Sequence, residues 1–251
     1  MKKIFLFGLV ASLITILIIS CEKEETNNGN PVLIDENNIG VHHNAMINFI
    51  FNDLSKMSSV EINNKTSTSS YSVMKMKEYC ELNNIKLPSD EELNLNFVKY
   101  RNTPIEEILN NKIFSVEQKK ILTECFTSLD LINNDLTKND LLLSILNNNL
   151  NKIKSHNEST GKRIAIATIN QMIASDELWI IEDKINFLKI TNTDKSMRPS
   201  NSQVLASDAK GMVLTLLYGG WSTPIGWCGA MFVGAGASIG SYMGSPIGWP
   251  F

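Results

Sequence analysis

The chain has no excess of positive charge. Its 23 Lys and Arg against 26 Asp and Glu leave a net charge of −3, which argues against nucleic acid as a partner, since phosphate backbones reward clustered Lys and Arg. Cysteine is scarce, at four residues, and none forms a Cys-x-x-Cys pair, so the zinc signal is absent and no disulfide framework is expected. Alternating apolar runs bounded by hairpin dipeptides are also missing, which leaves a sheet with little support. There is no HExxH, GxSxG, phosphate loop or Rossmann glycine pattern. The paired acids Glu91-Glu92 and Glu106-Glu107 fall at helix starts, where the helix dipole accounts for them. A non-catalytic protein without a cofactor is therefore expected. The last absence is regional: from Gly211 to Phe251 there is no Asp, Glu, Lys or Arg.

What is present begins at the N-terminus. Lys2 and Lys3 precede a run from Ile4 to Ser20 without charge, the basic-then-apolar layout of a secretory signal. The run closes on Ile18-Ile19-Ser20-Cys21 and turns at once to Glu22-Lys23-Glu24-Glu25. The segment Leu17–Cys21 resembles the lipobox of bacterial lipoproteins, and the resemblance implies diacylglycerol on the Cys21 thiol with cleavage before it. Several acyl chains, at about 0.8 kcal/mol per buried CH₂, anchor a protein without a spanning helix, so the sequence can turn polar immediately. An uncleaved span is the alternative, although 17 residues are at the short limit for a bilayer core of about 30 Å; a plain secretory signal is another. The cluster Lys23, Glu24 and Glu25 resembles the surface-export tag of Bacteroidota lipoproteins, with a solvated leader as the alternative. Residues 21–36 read as a polar, flexible tether. Loss of Lys2 and Lys3 on processing would leave a net charge of −5.

From Ile39 onward an apolar period of 3.6 residues dominates. Val41, Ala45 and Phe49, then Ile50, Leu54 and Met57, predict the stripe of a first helix. Residues 58–70 read as a loop and 71–87 as a helix. Ser89, Thr103 and Thr137 are expected N-caps, and Ser115-Val116-Glu117-Gln118 a capping box. A long helix is expected over 164–188, broken near Ser175. About six amphipathic helices over 37–200 predict an all-α bundle. Cys80 with Cys125 is a conceivable disulfide, with buried thiols the commoner outcome.

One local motif stands in this region, Ile39-Gly40-Val41-His42-His43-Asn44. Adjacent histidines on a helix point about 100° apart and cannot chelate one metal as an i, i+4 pair does, so no metal site is expected. His43 and Asn44 suit the satisfaction of backbone groups where the tether meets the bundle. The stretch resembles an Ile-Gly-x-x-His-Asn pattern near the mature start of exported Bacteroidota proteins with no assigned activity, and Gly40, His43 and Asn44 take the matching places. The resemblance implies kinship rather than chemistry. It extends to Asp208-Ala209-Lys210-Gly211, an Asp-x-x-Gly preceding a glycine-rich end.

That end, residues 201–251, holds ten of the fourteen glycines beyond Lys210 and three of the four tryptophans. Thr223-Pro224 predicts a helix start. Small residues then recur every fourth position, Gly226, Ala230, Gly234 and Ser238 in one row and Gly236, Gly240 and Gly244 in another. Such rows let backbones approach closely and resemble the glycine-zipper tails of small bacteriocins. Each glycine costs about 1 kcal/mol in a helix relative to alanine, so a close neighbour is implied. Three neighbours remain open: the bundle core, as a buried hairpin; a membrane; or a partner or second copy. The expected function is a lipid-anchored envelope protein, in the outer membrane and facing the cell surface, that binds or displays. The alternative is a bacteriocin-like or contact-dependent effector whose residues 211–251 insert into membranes.

Overall fold

The computed structural model describes residues 32–56, 68–132, 136–181, 200–218 and 220–242. The proposed lipid site Cys21, the export cluster Lys23, Glu24 and Glu25, and Gly244 lie outside these residues. The described chain is all-α, and it forms one compact unit from Val32 onward. Its α-helices are α1 (Ile39–Leu54), α2 (Thr68–Leu82), α3 (Asp90–Asn102), α4 (Ile105–Leu109), α5 (Val116–Ser128), α6 (Asn139–Lys154), α7 (Thr160–Asp176), α8 (Asn201–Leu217) and α9 (Pro224–Tyr242).

Local chemistry sets most of the starts. Ser89 and Ser115 form reciprocal capping boxes with Glu92 and Gln118, so each satisfies two backbone N–H groups that the first turn leaves over. Ser200 and Gln203 do the same for α8, and Thr223 Oγ1 accepts from Gly226 N at 3.0 Å ahead of α9. Two expected caps are not used. Pro104, not Thr103, is the N-cap of α4 and makes no side-chain cap bond; Thr103, confined to extended backbone by the following proline, closes α3 through its N–H to Lys99. Thr137 lies in a 3₁₀ turn, Leu136–Lys138, and Lys138 precedes α6 without a side-chain cap. The helix read as 71–87 ends earlier, at Leu82. Asn84 is left-handed (φ 56°) and Ile85 N donates back to Cys80 O at 2.8 Å, a Schellman-type stop.

The glycine-rich end is the centre of this unit rather than a separate tail. α9 is buried from Trp227 to Gly240 and pairs along its length with α8 as a helical hairpin. α7 packs on α8, on α1 and on α6; α2 and α3 close the other side of α9, and α5 lies beside α6. In the first row, Gly226 is half-buried against Gly220, while Ala230, Gly234 and Ser238 are buried. A methyl on Gly234 would stand 3.0 Å from the Asp208 carbonyl oxygen, so that position is small because the α8 backbone runs past it. Gly236 and Gly240 are buried as well. No helix among the described residues is long and apolar enough to cross a membrane.

Residues 34–36, read from composition as the end of a tether, are packed against the helices. Ile34 is buried in the core, Glu36 accepts from Arg163 Nε and Nη2 at 3.1 and 2.9 Å, and Asn170 Nδ2 donates to the Glu36 carbonyl at 2.8 Å. Arg163 in turn lies 5.3 Å over the Trp227 ring. Residues 34–38 therefore belong to the bundle.

Candidate functional site

Of the stripe read from the sequence for α1, Ile50 and Leu54 are buried and Phe49 is half-buried, Val41 and Ala45 face outward, and Met57 lies outside the described residues. Val41 is 68% exposed and Ala45 is exposed, whereas Ile39, Gly40, His43, Met46, Ile47, Ile50, Phe51 and Leu54 are buried. His43 lies on the buried face together with these apolar side chains, and its ring has a partner there. Nε2 lies 2.9 Å from Asp208 Oδ1, and both side chains have no exposed surface.

Asp208 is a hub. Its Oδ2 accepts from Ser175 Oγ at 2.5 Å and from Trp179 Nε1 at 3.2 Å, and Gln171 Nε2 donates to Ser175 Oγ at 3.1 Å. A carboxylate that accepts three bonds is compensated for leaving water. Asn44 Nδ2 donates to the Ala174 carbonyl at 2.7 Å, so the Asn44 oxygen is the atom 3.1 Å from His43 Nδ1. The ring sits between two oxygens, that of the Asn44 amide and that of the Asp208 carboxylate. Gly40 completes the arrangement: a methyl there would lie 2.7 Å from Ala174 Cβ and 3.0 Å from the Asn170 carbonyl oxygen. Gly40, His43 and Asn44, spaced at i, i+3 and i+4, thus share one face of α1. His43 reaches a carboxylate rather than the backbone group expected for it, while Asn44 does serve a backbone carbonyl, that of α7.

Sequence reasoning placed Asp208 only in an Asp-x-x-Gly pattern and did not find Ser175 or Trp179 as its partners. The two motifs meet in space. Trp179 reaches Asp208 from a π-helical turn, Glu177–Ile181, directly after α7. The break expected near Ser175 is therefore a change of winding, of the kind that re-aims a side chain. The serine donates to the carboxylate and not to the histidine, so the trio is not ordered as a nucleophile–base relay.

Two further groups sit near this hub. Asp176 Oδ2 accepts from Asn139 Nδ2 at 3.1 Å, while Asp176 Oδ1 and Asn139 Oδ1 have no partner among the described residues. Burial pushes the Asp176 carboxyl up to about 6, with the Asn139 bond opposing. His42, on the neighbouring face of α1, is half-buried, and its pKa is lowered by burial against the opposing charge of Asp35. Cys80, Cys125 and Cys228 are free and buried, so Cys80 and Cys125 are not paired. Among the described residues no three His, Cys, Asp or Glu side chains gather as a metal site.

Beside the hub, on the other flank of α8, lies an open cleft of about 770 Å³ between α3, α4, α5 and α8. Tyr100 and Leu109 are buried in its floor, with Ile105, Phe126, Ala206, Ser207 and Lys210 half-buried. Lys210 Nζ stands 4.9 Å from the centre of the Tyr100 ring. Burial raises the Tyr100 pKa, against a hydrogen bond with Ser207. Burial lowers that of Lys210, with the charge of Glu106 opposing. The volume is within the usual 300–1,000 Å³ of small-molecule sites, and the lining mixes the apolar side chains with polar ones, among them Asn110, Thr123 and Gln203 and the charged Glu106, Asp130 and Lys210. Four separate helices build this cleft, and no short motif in the sequence marks it. Compared with protein-family models, curated proteins and solved structures, the chain matches none.

Proposed function

We propose that the chain is a lipid-anchored protein of the cell envelope, tethered through Cys21 to the outer membrane and facing the cell surface, which binds a small molecule without transforming it. The cleft beside α8 carries this reading, because it joins an apolar floor to one half-buried cation and is open to solvent. The address rests on the lipobox and on the Lys23-Glu24-Glu25 cluster. A binding role is supported over a catalytic one by the way Asp208 takes up both His43 and Ser175, in a place no solvent reaches.

Titration of the purified protein with the neutral dye Nile red tests the cleft. Saturable binding at one site is expected, and Ala206→Trp, which fills the floor, should abolish it without lowering the melting temperature. Dye binding that A206W leaves intact would reject the cleft. For the address, labelled palmitate should enter the native chain and not the Cys21→Ser variant, and external protease should remove the protein from intact cells.

The charge-free sequence of α9 supports a second reading, the membrane-inserting effector. It predicts that the intact protein releases dye from lipid vesicles. The burial of α9 within the bundle supports the binding protein instead.

A further inference from the structure

Of the groups on the cleft floor, Lys210 alone is charged. None of the ion pairs among the described residues uses it, and its one close partner is the face of Tyr100. Its surroundings withdraw water from the ammonium without supplying a counter-charge in contact. The carboxylates of the rim, Glu106 and Asp130, are exposed, where solvent and salt screen them. Lysines placed like this bind anions, since an entering carboxylate makes a charge-assisted bond at a site already partly desolvated.

We propose that the cleft takes a small monocarboxylate with an apolar body, its carboxylate paired with Lys210 Nζ and its body laid on Ile105, Leu109 and Phe126. This rests on the binding role proposed above and adds the class of ligand. A cation is disfavoured at the floor by Lys210 itself. A neutral amphiphile would leave the half-buried ammonium as poorly compensated as it is in the free protein. A body bearing several charges would strip water from them against the apolar floor. The Tyr100 hydroxyl, kept protonated by burial, is a neutral hydrogen-bonding group beside the same ammonium.

Octanoate, octanol and octylamine share one apolar body and differ in the head group, so their binding to the purified protein by calorimetry separates the contributions. Octanoate should bind about tenfold or more tighter than octanol, the size of one charge-assisted bond, and octylamine should bind weakest. Lys210→Met should erase the preference for octanoate over octanol, and Lys210→Arg should keep it; melting curves on both variants check that they fold. Equal binding of octanoate and octanol, or a preference that survives K210M, overturns the carboxylate assignment and leaves the cleft as a binding site. If none of the three binds, or if A206W binds them as wild type does, the cleft reading falls as well.

Discussion

His43 Nε2 and Asp208 Oδ1 lie 2.9 Å apart with no exposed surface on either side chain, joining α1 to α8 across 165 residues of sequence. Removing His43 leaves the buried Asp208 Oδ1 without its partner, and an orphaned buried acceptor costs about 1–3 kcal/mol. His43→Ala should therefore lower the unfolding free energy by that amount in a urea titration. Ser175→Ala, which removes one of three bonds to the carboxylate, should cost about 1–2 kcal/mol. An H43A midpoint equal to wild type would show that the pair does not hold the bundle.

Gly40→Ala tests the contact of α1 with α7. The new methyl would meet Ala174 Cβ at 2.7 Å and a main-chain oxygen at 3.0 Å, and neither is the end of a flexible side chain. The helix propensity of alanine would favour the change by about 1 kcal/mol, but overpacking of about 1–3 kcal/mol should exceed it. Net destabilisation is expected; an unchanged or raised melting temperature would refute the close approach.

Asp176 makes stability depend on pH in the direction opposite to a salt-bridged acid. Its folded pKa, about 6, lies above the ordinary 3.8, so the folded state binds the proton more tightly. Its stabilising contribution is complete below about pH 4 and is lost as pH rises through 6. The total change is on the order of 2–3 kcal/mol. Asp176→Asn should flatten this part of the profile and raise stability at pH 7, where it also offers N–H donors beside the unpartnered oxygen Asn139 Oδ1. Chemical denaturation at pH 4, 5, 6 and 7 measures it; parallel profiles for the two proteins would contradict the assignment.

The thiols should be inert while the chain is folded. Burial pushes Cys80 and Cys125 up to about 12 and Cys228 to about 11, and alkylation needs the thiolate. Mass spectrometry after iodoacetamide at pH 8 should find these three unmodified in the native protein and modified in urea. Native labelling at any of them would mean that the core opens there.

Features decided within one turn of helix were legible in the sequence. The box at Ser115 and the caps at Ser89 and Thr223 follow from neighbours three residues away. Thr103 is extended, but Pro104 stands between it and the helix as the N-cap, and Thr137 lies within a 3₁₀ turn. On α1, Ile50 and Leu54 were read correctly, but Val41 and Ala45 face outward, and His43 turns inward to a partner 165 positions away that no local pattern reveals. The π turn that delivers Trp179 has no compositional sign. The small-residue rows showed that α9 needs a close neighbour, and only the packing of α8 against it identified which one.

The burial of α9 has a consequence for biosynthesis. Among the described residues this helix follows the other eight in the chain, yet α1, α2, α3 and α8 pack on it. During translation or export the earlier helices emerge before the element that fills their shared interior, so their greasy sides have nothing lasting to close upon. The chain would stay loose on that side until α9 arrives. Ribosomes that stop before Pro224 would leave products that proteases clear readily.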